Sequence, residues 1–251
     1  MTEVITVLKD WFKIRKGLKG SLGFVPTMGA LHKGHKSLFE KSVEENEFTV
    51  ASVFVNPTQF NNPNDLQKYP KTFEQDLEML NEINVDFLIF PEYETLYPDN
   101  YVYKVTETDY STILEGEHRH GHFDGVLTVV MKLLNIVNAD KAYFGEKDFQ
   151  QYKLIEGMTK AFFMKTEIIS CPTIREEDGL AFSSRNVRLT EAKRKQAPLF
   201  FKLLKSNKTP EQIINELTEN GFKVDYITDV NKRRYGAVYL GNVRLIDNVE
   251  L

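Results

Sequence analysis

Through the first two thirds of the chain, apolar runs of strand length alternate with segments of helical period, and this alternation limits the folds open to it. SLGFVPT (21–27) reads as a strand, and KGHKSLFEKSVEEN (33–46) spaces its apolar residues as a helix does. FTVASVFV (48–55) is a β-branched run with little polar alternation, the pattern of a strand covered on both faces. TFEQDLEMLNEIN (72–84) is helical with Thr72 as N-cap, and VDFLIFP (85–91) is another buried strand. GVLTVVMKLLNIVN (125–138) reads as a largely buried helix and KAYFGEK (141–147) as a strand. DFQQYKLIEGMTKAF (148–162) reads as a helix capped by Asp148, and TEIISCPTI (166–174) as a further strand.

This succession predicts an α/β fold: a Rossmann-like open, mostly parallel sheet with helices on both faces. From about Ile174 the texture changes. A polar, glycine-bearing loop, REEDGLAFSSRNVRLT, leads into EAKRKQAPLFFKLLKSN, which reads as one helix. A short helix (PEQIINELTENG) and three strand-like pieces follow. Residues 174–251 are therefore expected to form a small α+β domain behind a first domain of residues 1–173.

In open α/β sheets, ligands bind outside the carboxyl ends of the strands. Three chemically loaded loops follow strands here: His32 and His35, Asn56 to Gln59, and Glu146 to Gln151. In VPTMGALHKGH two histidines three apart share a helix face at its N-terminus, where they can donate to phosphate oxygens. Gly29 and Gly34 would let the backbone approach a nucleotide. By themselves the two histidines fit an ordinary surface helix start equally well, and they lack the carboxylate or thiol that a zinc site needs. In FGEKDFQQ, Lys147 suits phosphate and Asp148 a ribose hydroxyl, although a plain N-cap role serves Asp148 equally. Gln151 lies one turn further on. In FSSRN, Arg185 is the bidentate donor a polyphosphate calls for, with a surface salt bridge as its ordinary alternative. In FVNPTQF, Asn56 and Gln59 offer neutral groups for a hydroxyl or carboxylate, or simply form a turn. HRHGH (118–122) is expected to be a solvent-exposed loop.

The balance of 36 acidic against 32 basic residues, net −4, speaks against a broad nucleic-acid-binding face. No apolar run approaches the ~20 residues of a membrane span, and the N-terminal stretch lacks a signal-peptide core. The single cysteine, Cys171, cannot form an internal disulfide, is expected in the core, and points to a reducing cytoplasm.

Taken together, PTMGALHKGH, FVNPTQF, YPKT, HFDGV, FGEKDFQQ and DGLAFSSRN resemble, in order, the signature segments of the pantothenate synthetases (pantoate–β-alanine ligases). These belong to the H-x-G-H nucleotidyltransferase-like superfamily, and the ending LGNVRLIDN also fits. The resemblance implies ATP-dependent joining of pantoate to β-alanine through a pantoyl adenylate, with release of pyrophosphate and AMP. It implies ATP contacts from Met28, Gly29, Ala30, Leu31, His32, Lys33, Gly34 and His35, with His35 as proton donor and His32 and Lys147 on the phosphates. Gly145, Glu146, Lys147, Asp148, Ile174, Phe182, Ser183, Ser184 and Arg185 would complete the nucleotide site. Gln59 and Gln151 would hold pantoate, with Asn56 alongside and Gln59 also near β-alanine.

The same resemblance implies Mg²⁺ on the phosphates, with Asp76 as its offered protein contact, a second domain that closes over the substrates, and a homodimer. Phe182 stands where a smaller Leu or Met is expected, and Asp124 where many relatives carry arginine; Asp124 receives no role. The residues also admit a nucleotidyltransferase using the same histidine pair, and a non-catalytic nucleotide-binding module.

Overall fold

A computed structural model describes residues 1–251, and the chain divides into two compact units: Met1–Gly145 with Gln150–Cys171, and Glu146–Phe149 with Pro172–Leu251. The first unit holds strands β1 (Glu3–Ile5), β2 (Leu22–Thr27), β3 (Phe48–Val53), β4 (Phe87–Ile89), β5 (Lys141–Gly145) and β6 (Glu167–Cys171). They form one parallel sheet in the order β1-β4-β3-β2-β5-β6. The main helices are α1 (Leu8–Gly17), α2 (Lys33–Glu45), α3 (Pro63–Gln67), α4 (Phe73–Glu82), α5 (Tyr93–Leu96), α6 (Glu115–His118), α7 (His122–Val137) and α8 (Phe149–Ala161).

Side-chain alternation along the strands separates two cores. Leu22, Phe24 and Val50 point to one, with Trp11, Leu127, Leu134 and Ile155 of the helices. Val25, Ala51 and Val53 point to the other, with Leu38, Phe39 and Leu80, and Cys171 is buried there. Trp11 is fully buried, and its indole N–H donates to the Ile136 carbonyl at 2.8 Å, pinning α1 to α7. The N-terminal stretch thus supplies an edge strand and a packed helix; at three residues, β1 is too short to show a period.

Strand order reverses between β2 and β5. Those two strands pair only through Gly23↔Lys141 and Phe24↔Ala142, near their amino ends. Pro26 has no N–H to extend that ladder. The carboxyl ends of β2 and β5 lie beyond the paired stretch, at the kind of switch point where such sheets bind ligands.

In the second unit, α9 (Glu191–Gln196), α10 (Pro198–Leu204) and α11 (Pro210–Glu219) precede an antiparallel meander of β7 (Lys223–Val230), β8 (Arg233–Leu240) and β9 (Val243–Glu250). Phe200, Leu203, Ile213 and Leu217 pack on Ile227, Val238 and Leu245.

Three local expectations change. EAKRKQAPLFFKLLKSN is two helices rather than one, because Pro198 cannot donate within a helix and takes the first turn of α10. The KAYFGEK strand stops at Gly145, and Glu146–Asp148 is a 3₁₀ turn, so Asp148 closes that turn rather than standing outside α8 as a plain cap. HRHGH is not an open loop: His118 and His120 are exposed, but His122 is buried at the start of α7.

Candidate active site

The loop after β2 is built around a buried carboxylate. Gly29 and Ala30 both adopt positive φ, +79° and 52°. A Cβ on Gly29 would sit 3.0 Å from Asp76 Oδ2 and from Val53 Cγ1, so the turn needs glycine for both conformation and space. Asp76, on α4, accepts from the Ala30 N–H at 2.9 Å through Oδ2 and from the Leu31 N–H at 2.8 Å through Oδ1. Thr72 Oγ1 adds a third donor at 3.1 Å, which explains why Thr72 does not cap α4 with its own side chain. Thr27 Oγ1 donates to the Ser52 carbonyl and accepts from the Gly29 N–H, closing the base of the loop.

The loop delivers the chain into α2. His32 is the N-cap, and its Nδ1 accepts from the Gly34 N–H at 3.2 Å. In the neutral ring this places the proton on Nε2, which makes that atom a donor. His32 and His35 stack with ring centroids 4.0 Å apart. Gly34 therefore serves through its N–H, within the cap.

The turn after β3 is also held from behind. Asn56 is buried: its Nδ2 donates to Gln59 Oε1 and to the Gly125 carbonyl, and its Oδ1 accepts from Thr58 Oγ1 and Tyr97 OH. Burial pushes the Tyr97 phenol up to about 12, so it stays a neutral donor to Asn56 at ordinary pH. Asn56 is therefore a scaffold for Gln59, with its amide committed to protein groups. Gln59 is half-buried and donates from Nε2 to Met28 Sδ at 3.2 Å, which joins this turn to the first loop.

Three residues without a sequence-derived role complete the support. His122 Nδ1 meets the Gln59 carbonyl at 2.8 Å and its Nε2 meets Arg119 Nη1 at 3.0 Å. Arginine only donates, so His122 is neutral with Nδ1–H donating to Gln59. Arg119 Nη2 also donates to the Gln59 carbonyl. A Cβ on Gly125 would lie 2.5 Å from the Thr58 carbonyl oxygen, so α7 packs directly on the turn only because that position is glycine. Of the adjacent glutamines on α8, Gln150 is buried and bound to Tyr110, Ile113 and Glu115 backbone groups, while Gln151 is half-buried.

Asp76 is the correction to the metal expectation. It is buried, and both oxygens already accept from three protein donors. No cluster of three or more His, Cys, Asp or Glu side chains is placed to hold a metal ion.

Apart from Gly145, which ends β5 in the first unit, the remaining nucleotide candidates lie in the second unit. Lys147 Nζ is 3.7 Å from Asp148 Oδ1 within the 3₁₀ turn. Ile174 and Phe182 flank a small hairpin: Phe182 N–H donates to the Ile174 carbonyl, and Arg175 bridges Ala181. Its tip is pinned by Arg194, which donates to Glu176 at 2.7 Å and Asp178 at 2.6 Å. Ser183 accepts from the Arg185 N–H through Oγ and from the Asn186 N–H through its carbonyl, folding Phe182–Arg185 into a turn. The polar loop of the sequence is thus a stemmed hairpin.

Known proteins match this chain over its full length. A family profile described as Pantoate-beta-alanine ligase matches residues 1–250. A pantothenate synthetase of Bdellovibrio bacteriovorus is 56% identical, covering 100% of both chains, and one of Legionella pneumophila is 53% identical over 96% of each. A pantoate-β-alanine ligase from Francisella tularensis, solved in complex with β,γ ATP and β-alanine, superposes with a TM-score of 0.96. It is 43% identical and covers 100% of this chain and 98% of its own. The pantothenate synthetase of Thermus thermophilus gives 0.91 at 36% identity, with 99% of each chain covered. The chain belongs to the pantoate–β-alanine ligase family.

Proposed function

We propose that this ligase makes its amide through an acyl adenylate, with the stacked histidine pair meeting the triphosphate and Gln59 meeting the hydroxy acid. In the first step a pantoate carboxylate oxygen attacks the α-phosphorus of ATP. A P–O bond forms, the bond to the β-phosphate oxygen breaks, and pyrophosphate leaves. In the second step the β-alanine amine attacks the acyl carbon. The C–N bond forms, the C–O bond to AMP breaks, and the amine loses a proton.

Neither step calls for a covalent enzyme nucleophile; both call for alignment and for donors aimed at developing negative charge. His35 is the proton donor to the departing pyrophosphate, and His32, with its Nε2–H fixed by the cap, donates to a phosphate oxygen. Met28 to His35 follow the nucleotide, with Lys33 and Gly34 opening α2 beneath it. Lys147 and Arg185 carry the cationic charge for phosphates, and Gly145 to Asp148, Ile174 and Phe182 to Ser184 contact the rest of the nucleotide. Gln59 and Gln151 hold pantoate, and Gln59 also lies against β-alanine.

The observation that carries this reading is the strained Gly29–Leu31 turn clamped by Asp76, which holds the histidine pair in place before any substrate arrives. A relative solved with β,γ ATP and β-alanine supports ATP and β-alanine as substrates here. Magnesium does not fit as a protein-held ion, because Asp76 is committed to backbone donors and no ligand cluster exists. A homodimer and a cytoplasmic location belong to this reading; no helix is long and apolar enough to cross a membrane.

The test is a pantoate-dependent exchange of labelled pyrophosphate into ATP without β-alanine, followed by AMP release once the amine is added. Release of ADP, or exchange that requires the amine, would rule out the adenylate.

A further inference from the structure

Strand β9 grips two of the candidate segments of its own unit, one from each face. Asp247 and Asn248 are consecutive, so their side chains leave opposite sides of the sheet, and both are buried. Asp247 takes both guanidinium nitrogens of Arg175, at 2.6 and 2.9 Å, at the stem of the hairpin that leads to Phe182–Arg185. The Arg175 guanidinium also lies 3.7 Å over the Phe201 ring. On the other face, Asn248 Nδ2 donates to the Glu146 carbonyl at 2.8 Å and the Lys147 carbonyl at 3.0 Å. Its Oδ1 accepts from Arg233 Nη1 at 2.6 Å, and that guanidinium covers the Phe149 ring at 3.7 Å.

We propose that Asn248 is a positioning residue for Lys147, and that the Asp247–Asn248 pair sets the spacing between the Lys147 turn and the hairpin that leads into the Ser-Ser-Arg turn. The proposal rests on the reading of Lys147 as a phosphate-binding group. Lysine is a point charge on a flexible stem, so where its ammonium can reach depends on where its backbone is held. A 3₁₀ turn of three residues has little internal bonding with which to hold itself. Two neighbouring carbonyls of that turn converge on one side-chain nitrogen, and a guanidinium converges on the oxygen of the same amide. Only a side chain with two donors and an acceptor at that length closes all three contacts: aspartate lacks the donors, and leucine leaves every partner unpaired.

A double-mutant cycle tests this with the full-length enzyme and ATP as the varied substrate. Asn248→Ala should raise KM for ATP about tenfold while kcat changes less than about threefold and the KM values for pantoate and β-alanine stay put. Lys147→Ala should move the same parameter, and adding Asn248→Ala to it should cost little more, because the two act as one unit. Full additivity on top of a normal Lys147→Ala defect would overturn the proposal alone. If Lys147→Ala leaves ATP kinetics unchanged, the phosphate role of Lys147 falls and the proposal falls with it. Asn248→Asp preserves volume and the Arg233 contact and serves if the alanine variant does not fold. It should show the same ATP-specific shift, and wild-type ATP kinetics in that variant would overturn the proposal.

Discussion

The loop after β2 carries the histidine pair and the hairpin at 174–182 leads into the Arg185 turn, yet the two are held by opposite means. The first is fixed by one buried carboxylate accepting from neutral main-chain N–H groups, with two residues at positive φ. The second is fixed by guanidinium–carboxylate pairs, Arg175 with Asp247 and Arg194 with Glu176 and Asp178. In the first the backbone itself is aimed, so precision comes from strain that a distant residue holds in place. In the second, side chains tie down a regular turn, and its partly exposed pairs answer to salt and acid. The contrast predicts that a single change is catastrophic in the loop and graded in the hairpin.

The largest effect should come from Asp76→Asn. The substitution keeps size but turns an acceptor into an NH₂ group facing a backbone N–H, so either Ala30 or Leu31 loses its partner. The loop then has no reason to keep its strained form, and kcat/KM should fall by about 10³, since small misplacements at a reacting centre are costly. The unfolding midpoint should drop by several degrees as well, as expected for an unsatisfied buried donor. Near-normal turnover would show that the loop holds its shape without the carboxylate. His35→Ala comes next, lowering turnover by ~10²–10³ with an unchanged unfolding midpoint. An effect within twofold would remove His35 from the chemistry while leaving the loop's architecture untouched.

Asp247→Asn probes the hairpin at its strongest tie. Arg175 would lose its charge partner beside a nearly inaccessible position, a loss on the order of 3 kcal/mol. Chemical denaturation should reveal it, and on cooling kcat should recover while KM for ATP stays raised, because the lost tie is one half of the pair that sets the spacing of the Lys147 turn. A variant as stable as the parent but inactive at every temperature would mean that Asp247 acts in chemistry and would dissolve the contrast.

The sheet was readable because buried parallel strands are continuous apolar runs, and their β-branched composition leaves few alternatives. The motif loops were readable because glycine, histidine and proline punctuate them. What escaped was support acting across long sequence separations. Asp76 reaches Ala30 from 46 residues away, and on α4 it looks like any first-turn acid. His122 sat in a histidine-rich string that suggested exposure, yet its partner is the carbonyl of Gln59, 63 residues earlier. Glu146–Phe149 groups with the second unit, where Asn248, about a hundred residues later, holds two of its carbonyls, and no local pattern announces it. Burial was legible where composition encodes it, while hydrogen bonds between distant polar residues were not.

The smallest effect should be at the hairpin tip, and it carries a pH signature that the β2 loop should lack. The Arg194 guanidinium, with burial opposing it and the Leu180 N–H assisting, holds the Asp178 carboxyl below the usual carboxylate range. A carboxyl depressed in the folded state adds stability that is complete above its unfolded value and is lost as pH falls through the folded one. The tip should therefore be indifferent to pH near neutrality and loosen only on the acid side of the carboxylate range. Asp178 is 40% exposed, so solvent screens most of the pair, and Asp178→Asn should cost less than about 1 kcal/mol at pH 7. Raising salt should shrink even that difference, while the Asp76→Asn defect should stay constant because its partners are uncharged. Equal salt dependence in the two variants would mean that loop and hairpin are held by the same kind of force after all.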